Sequence, residues 1–224
     1  NLSFEENRSE LTEYYEGLGT SQFIENNISM QHETVAGNDN IRESYNGDYL
    51  EFGISDLGEI MPFSHDGVEF LAVGCSISGY SITYNISDVQ YFSSAFYQGC
   101  GGGNPINLLP ISYSDNYNGD DVTIDVITMT ADGNIEIHRH FKFNTSDKFI
   151  NVTTSINNVS GEELSDIIFR SFADWDSATD TYANNWGFDP TRNLVYVFDP
   201  NFTNYVSIAT LTSPSLIDVG GWED

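Results

Sequence analysis

The sequence predicts an all-β fold: an antiparallel β-sandwich with long loops and at most one short N-terminal helix. Three observations predict it. From about Asn46 onward apolar and polar residues alternate with period two rather than at helical spacing. The alternating runs are bounded by Gly, Asn, Asp and Pro. Hydrophobic residues make up 39% of the 224, with 15 Phe and 13 Tyr, enough apolar surface for two facing sheets to bury.

Taken in order, the one helical pattern is Glu5 to Leu18, where Leu11, Tyr14, Tyr15 and Leu18 recur at spacings of three or four. Period-two runs then mark strands at Tyr49–Ile54, Val68–Val73, Ile77–Ile86, Val122–Ala131, Asn134–Asn144, Lys148–Asn157, Leu164–Ala173, Leu194–Phe198 and Tyr205–Leu211. Asp132-Gly133 supplies positive φ for a two-residue turn, so 122–144 forms a hairpin. Turns at Asn144–Asp147 and Asn158–Gly161 extend it to a meander of four long strands, with a second sheet from the earlier strands as its cover. Tyr97 to Asn107 reads as a long loop. The domain expectation is an irregular or helical arm over 1–45 and a sandwich over 46–224.

Charge narrows the function classes. The chain carries 34 Asp plus Glu against seven Lys plus Arg, a net charge of −27. With a pI near 4.1 it lacks the basic footprint that nucleic acid requires. No apolar run is long enough for a helix to span a bilayer. Unrelieved self-repulsion calls for bound cations, high salt or a polycationic partner.

Eight Asn-x-Ser/Thr triplets, at Asn1, Asn7, Asn27, Asn85, Asn144, Asn151, Asn158 and Asn201, point to a secreted or cell-surface glycoprotein. Cys75 and Cys100 are the only cysteines. Outside the cell they are expected to form one disulfide, worth roughly 3–4 kcal/mol on the chain-entropy model; two buried thiols are the alternative. The polar start at Asn1–Glu6 and the abrupt end at Trp222-Glu223-Asp224 suggest a portion of a longer precursor.

The stretch Glu136–Asn144, followed by Phe149-Ile150-Asn151-Val152 and Ile156–Ser160, is similar to the galactose-mutarotase-like β-supersandwich found in sugar epimerases and many carbohydrate-active enzymes. Phe172-Ala173-Asp174-Trp175-Asp176 resembles a motif of secreted bacterial and archaeal surface proteins. The resemblance covers about 45 residues and implies a supersandwich fold. The catalytic histidine and glutamate of the epimerases have no counterpart matched residue by residue, so it does not carry their activity across.

Two constellations invite chemistry. On strand 134–144 the residues Glu136, His138, His140 and Lys142 share one face. His-x-His sets two imidazoles about 7 Å apart, near enough for one transition metal or a proton transfer if a carboxylate approaches; a solvated polar face is the other reading. Oxygen-rich clusters suggest calcium. One is Asp115, Asn116, Asn118, Asp120 and Asp121 around Gly119, and the other is Asp174 and Asp176 with Asp180. Asp174 and Asp176, on one strand face, repel unless a cation lies between them; ordinary turn chemistry is the alternative. Tyr117, Trp175, Tyr182 and Trp186 are candidate sugar platforms. Nucleophile-elbow and nucleotide-loop signatures are missing. The expected function is a structural or interaction module, partnered by itself or by other surface proteins and stabilised by calcium, a possible subunit of a surface layer or filament. The rival is a carbohydrate-binding or carbohydrate-processing protein.

Overall fold

In this computed structural model, residues 41–71, 77–98, 108–173, 175, 185–198 and 205–209 are described. By contacts the chain divides into Asn1–Ala36 and Gly37–Asp224, and every described residue belongs to the second unit. The described part is all-β and entirely antiparallel.

Four sheets can be traced. Sheet I is a meander of β1 (Ile41–Asn46), β2 (Leu50–Ser55), β3 (Ile60–His65) and β4 (Val68–Leu71). Sheet II has the order β10-β9-β8-β7, from β7 (Leu108–Asn118), β8 (Asp121–Thr130), β9 (Ile135–Asn144) and β10 (Asn151–Asn158). Sheet III is β11-β5-β6, from β5 (Ile77–Ile86), β6 (Val89–Gln98) and β11 (Ser165–Ala173). Sheet IV is β12 (Asn185–Asp189), β13 (Leu194–Phe198) and β14 (Tyr205–Ala209). No helix among the described residues is long and apolar enough to cross a membrane.

The hairpin over 122–144 forms, but its turn is longer than two residues. Thr130 and Ile135 flank the four-residue connection Ala131–Asn134, with Gly133 at φ 75° and its N–H donating to Thr130 O. Asp132 anchors the connection by accepting from Thr130 Oγ1 and the Asn134 N–H. The four-stranded meander is made of different strands from those expected. β11 does not pair with β10; it crosses to β5, where Phe169 tilts against Tyr80 at 5.6 Å. The fourth place in sheet II goes to β7, whose polar half reads in sequence as an acidic loop. Ile41–Tyr45, counted with the arm, belongs to strand β1 (Ile41–Asn46), and Tyr45 is core. Glu5–Leu18 lies outside the described residues.

Alternation on β8 and β9 builds the interior. Val122, Ile124 and Val126 with Phe141 and Phe143 face Tyr45, Leu50, Phe52 and Ile54 of sheet I. Further along the same sheet, Ile135 and Ile137 face Tyr80, Ile82, Tyr84 and Ala95 of sheet III. Sheet II is thus one layer of the sandwich and sheets I and III cover it side by side. Buried tyrosine hydroxyls tie the layers: Tyr80 donates to Leu57 O at 2.7 Å, and Tyr84 to Asp132.

Between the two cores the inward pattern of β9 is broken by Arg139, which is buried. Its guanidinium lies 4.8 Å from the Tyr80 ring centre and 5.1 Å from that of Phe141, and it donates to Gly58 O. Burial lowers its pKa, while Tyr80 and the buried Glu59 favour the charge. Gly58 holds φ +79°, and a Cβ there would lie 3.3 Å from Arg139 Cδ, so this turn needs glycine.

Candidate functional site

The outer face of sheet II carries the polar half of the alternation. Register sets Asp125 on β8 opposite His140 on β9, with Ser114 on its other side and Thr153 beyond His140. His138 lies opposite Ile127 and Ser155. Both imidazoles turn to one carboxylate oxygen: His138 Nε2 and His140 Nδ1 each lie 2.8 Å from Asp125 Oδ1. The rings are 6.5 Å apart, edge to face at 81°. The carboxylate that the His-x-His spacing called for is therefore Asp125.

For neutral rings to donate these bonds, His138 carries its proton on Nε2 and His140 on Nδ1. That leaves His138 Nδ1 and His140 Nε2 as lone-pair nitrogens. The side chains of Asp125, His138 and His140 are 38%, 36% and 40% exposed. Burial pushes the Asp125 carboxyl up, but hydrogen bonds from His140 and His138, with their charges, outweigh it and hold the pKa below the usual value. Glu136, on the same face, does not join them; it accepts from Asn157 Nδ2 at 3.0 Å. Among the described residues no group of three or more His, Cys, Asp or Glu has the arrangement to hold a metal ion. The three groups bond to one another, so the arrangement as it stands is a cross-strand clamp on a partly exposed sheet face.

The acidic cluster around Gly119 is a hairpin. β7 and β8 meet through Gly119-Asp120, with Gly119 at φ 65° and Asn118 opposite Asp121. Pleating sends its oxygens to different faces. Asp115 turns inward and accepts from Tyr45 Oη at 3.2 Å, whereas Asn116 lies opposite Thr123. Asp121 accepts from Asn144 Nδ2 at 3.0 Å, and Asp120 accepts from the Thr145 N–H through its backbone carbonyl. The other cluster, Asp174, Asp176 and Asp180, lies outside the described residues, as do Cys75, Cys100, Asn7, Asn27 and Asn201. Trp175 is described, and packs edge-on to Phe63 at 5.5 Å.

Four acceptor asparagines are placed, all at or near strand ends and none buried: Asn85 near the end of β5, Asn144 closing β9, and Asn151 and Asn158 bounding β10. Asn144 and Asn158 share one geometry. In each, Oδ1 accepts from the hydroxyl of the serine two residues on at 2.7 Å and from its N–H at 3.1 Å.

Sequence reasoning missed Asp125, Tyr45 and Tyr113. Tyr45 Oη is 2.6 Å from Tyr113 Oη, and Tyr117 stacks on the Tyr45 ring at 6.4 Å. Asp125 was within reach of sequence: centring the hairpin on Asp132-Gly133 already places it opposite His140. The chain thus belongs to the class of layered antiparallel β proteins, with a histidine–carboxylate cluster on an open sheet face. No protein-family model, curated protein or solved structure matches it.

Proposed function

We propose that this chain is a structural or interaction module of a secreted or cell-surface glycoprotein. The observation that carries the reading is the placement of the four described acceptor asparagines at exposed or half-exposed strand ends, where a glycan displaces no core side chain. The Asn144 and Asn158 turns add a shared serine hydroxyl-to-Oδ1 contact, while each Nδ2 donates to an exposed neighbour, Asp121 Oδ1 or Glu162 O, that glycan attachment would have to displace. The strong acidity supports bound divalent cations as part of the module, with Asp174 and Asp176 as ligands, and Cys75–Cys100 as its disulfide. Expression in a glycosylating host, enzymatic release of the glycans in heavy-oxygen water and peptide mass mapping test the reading. Label at Asn144 and Asn158 is expected; unmodified asparagine at every acceptor sinks it.

A second reading, carbohydrate binding, is favoured by one feature. Tyr117 is 58% exposed, yet one ring face is backed by Tyr45 and the Asp115 carboxylate stands beside it, a combination suited to stacking a sugar ring and accepting from its hydroxyls. A glycan array probed with the wild type and Tyr117→Ala decides it: binding to a neutral glycan that the substitution abolishes supports this reading, and an empty array removes it.

A further inference from the structure

Edge strands expose unpaired backbone groups, and natural sheets usually blunt them with charge, proline or a bulge. β1, β7 and β11 each carry charged residues and a register shift. β6 has no charged residue, but Ser93, Ser94 and Ala95 in its middle are buried. β10 is different. It is an edge of sheet II, its pairing with β9 runs unbroken over eight residues, and Asn151–Asn158 contains no charged residue, proline or glycine. Six of its eight residues are exposed.

Its sequence also reads alike in both directions. In Asn151-Val152-Thr153-Thr154-Ser155-Ile156-Asn157, residues equidistant from Thr154 match in chemical class: Thr with Ser, Val with Ile, Asn with Asn. The faces agree as well. Val152, Thr154 and Ile156 lie opposite Phe141, Arg139 and Ile137 on the inner side, and Asn151, Thr153, Ser155 and Asn157 lie opposite Lys142, His140, His138 and Glu136 on the outer side.

We infer that β10 pairs antiparallel with β10 of a second copy of this chain, about a two-fold axis through Thr154 perpendicular to the sheet. Only an axis that keeps inner residues opposite inner ones preserves both faces. In that register Val152 meets Ile156 of the second copy, Thr153 meets its Ser155 and Asn151 meets its Asn157. Val152, 38% exposed in the single chain, gains an apolar cross-strand partner, and no like charges meet. Sheet II becomes a continuous sheet of eight strands with β7 at either end, its backbone hydrogen bonds supplied by strand addition. The inference does not rest on the surface-module reading: a chain that stays monomeric overturns the pairing alone, and acceptor asparagines left unmodified by a glycosylating host overturn that reading alone.

The test uses the full chain made without glycosylation. Sedimentation over a concentration series should show a reversible monomer–dimer equilibrium. Thr153→Lys with Ser155→Lys places lysines opposite one another on the solvent side and should weaken association by at least about tenfold, whereas Thr153→Lys with Ser155→Glu offers opposite charges and should retain it. Thr154→Cys, oxidised, should yield a dimer linked through position 154 in both copies, because that pair lies on the axis and within disulfide reach. A chain that stays monomeric up to millimolar concentration overturns the inference. So does a dimer indifferent to the double-lysine change, or one in which the introduced thiols never join.

Discussion

His140 Nδ1 lies 2.8 Å from Asp125 Oδ1 across the β8–β9 ladder, on the same oxygen that His138 Nε2 reaches. The contact joins two central strands of sheet II on their solvent side.

Asp125→Asn should destabilise the protein by about 0.5–1 kcal/mol, a small value because all three groups are partly solvated. The pH dependence has a definite sign. The folded Asp125 pKa is held below its unfolded value, so the carboxylate contributes its stability above the unfolded pKa, about 3.9, and loses it as pH falls through the lower folded value. The gap between wild type and Asp125→Asn, followed by urea titration, should close at acid pH; a gap that widens there would contradict the clamp.

Gly58→Ala should cost about 1–3 kcal/mol, because alanine must adopt positive φ and press on Arg139 Cδ. Arg139→Met should cost about 3–5 kcal/mol by leaving the buried Glu59 without its cation, and adding Glu59→Gln should recover part of it. Thermal melts of the three variants check the order. A double variant no better than Arg139→Met would show that the two residues are not coupled.

Truncation should be sharply position-dependent. Removing residues 1–36 spares every strand of the described fold. Removing 1–45 deletes most of β1 and takes out Tyr45, which is 2% exposed and contacts Phe52, Phe143 and Tyr113. Losing such an aromatic costs about 3–5 kcal/mol. Equal melting temperatures for the two truncations would contradict the placement of Tyr45.

Calcium should raise the melting temperature beyond the effect of sodium chloride at matched ionic strength. A cation that binds only the folded chain adds about 2.7 kcal/mol at a hundredfold excess over Kd, or very roughly 5–10 °C for a domain of this size. Monovalent screening should not saturate at millimolar concentration. Asp174→Asn with Asp176→Asn should erase the calcium-specific part; identical curves in the two salts would dismiss the site.

Much of sheet II and of the candidate site can be read from sequence, and the reason is alternation. β5 coincides with its predicted span, and β8 and β9 lie within a residue of theirs, because one face of each must be apolar; β13 also coincides, as a continuous apolar run without alternation. Strands without that constraint hide. β7 is an edge strand whose Asp115–Asn118 end, with Asp120 and Asp121 after it, is crowded with Asp and Asn, so it passes for an acidic loop. β6 mixes Ser and aromatics without clean alternation, and β1 is too short and charged to stand out. The crossing of β11 to β5 is invisible locally, since pairing partners depend on which core accepts Phe169. The histidine pair was legible because it sits two residues apart on one strand. Asp125 and Tyr45 need long-range register or packing.

Arg139 also marks a mechanical boundary. The first core is shared by sheets I and II and the second by sheets III and II. Among the described residues, the polar ties between sheets I and III gather at one place: Tyr80 Oη donates to Leu57 O, Ser78 Oγ donates to Ile60 O, and Arg139 reaches both Gly58 O and the Tyr80 ring. Either flank can therefore open while the other stays packed, so the fold should behave as two cooperative units hinged on a common sheet. Amide exchange under native conditions should then show β2 and β5 opening with different free energies, and β8 and β9 exchanging only when both have let go.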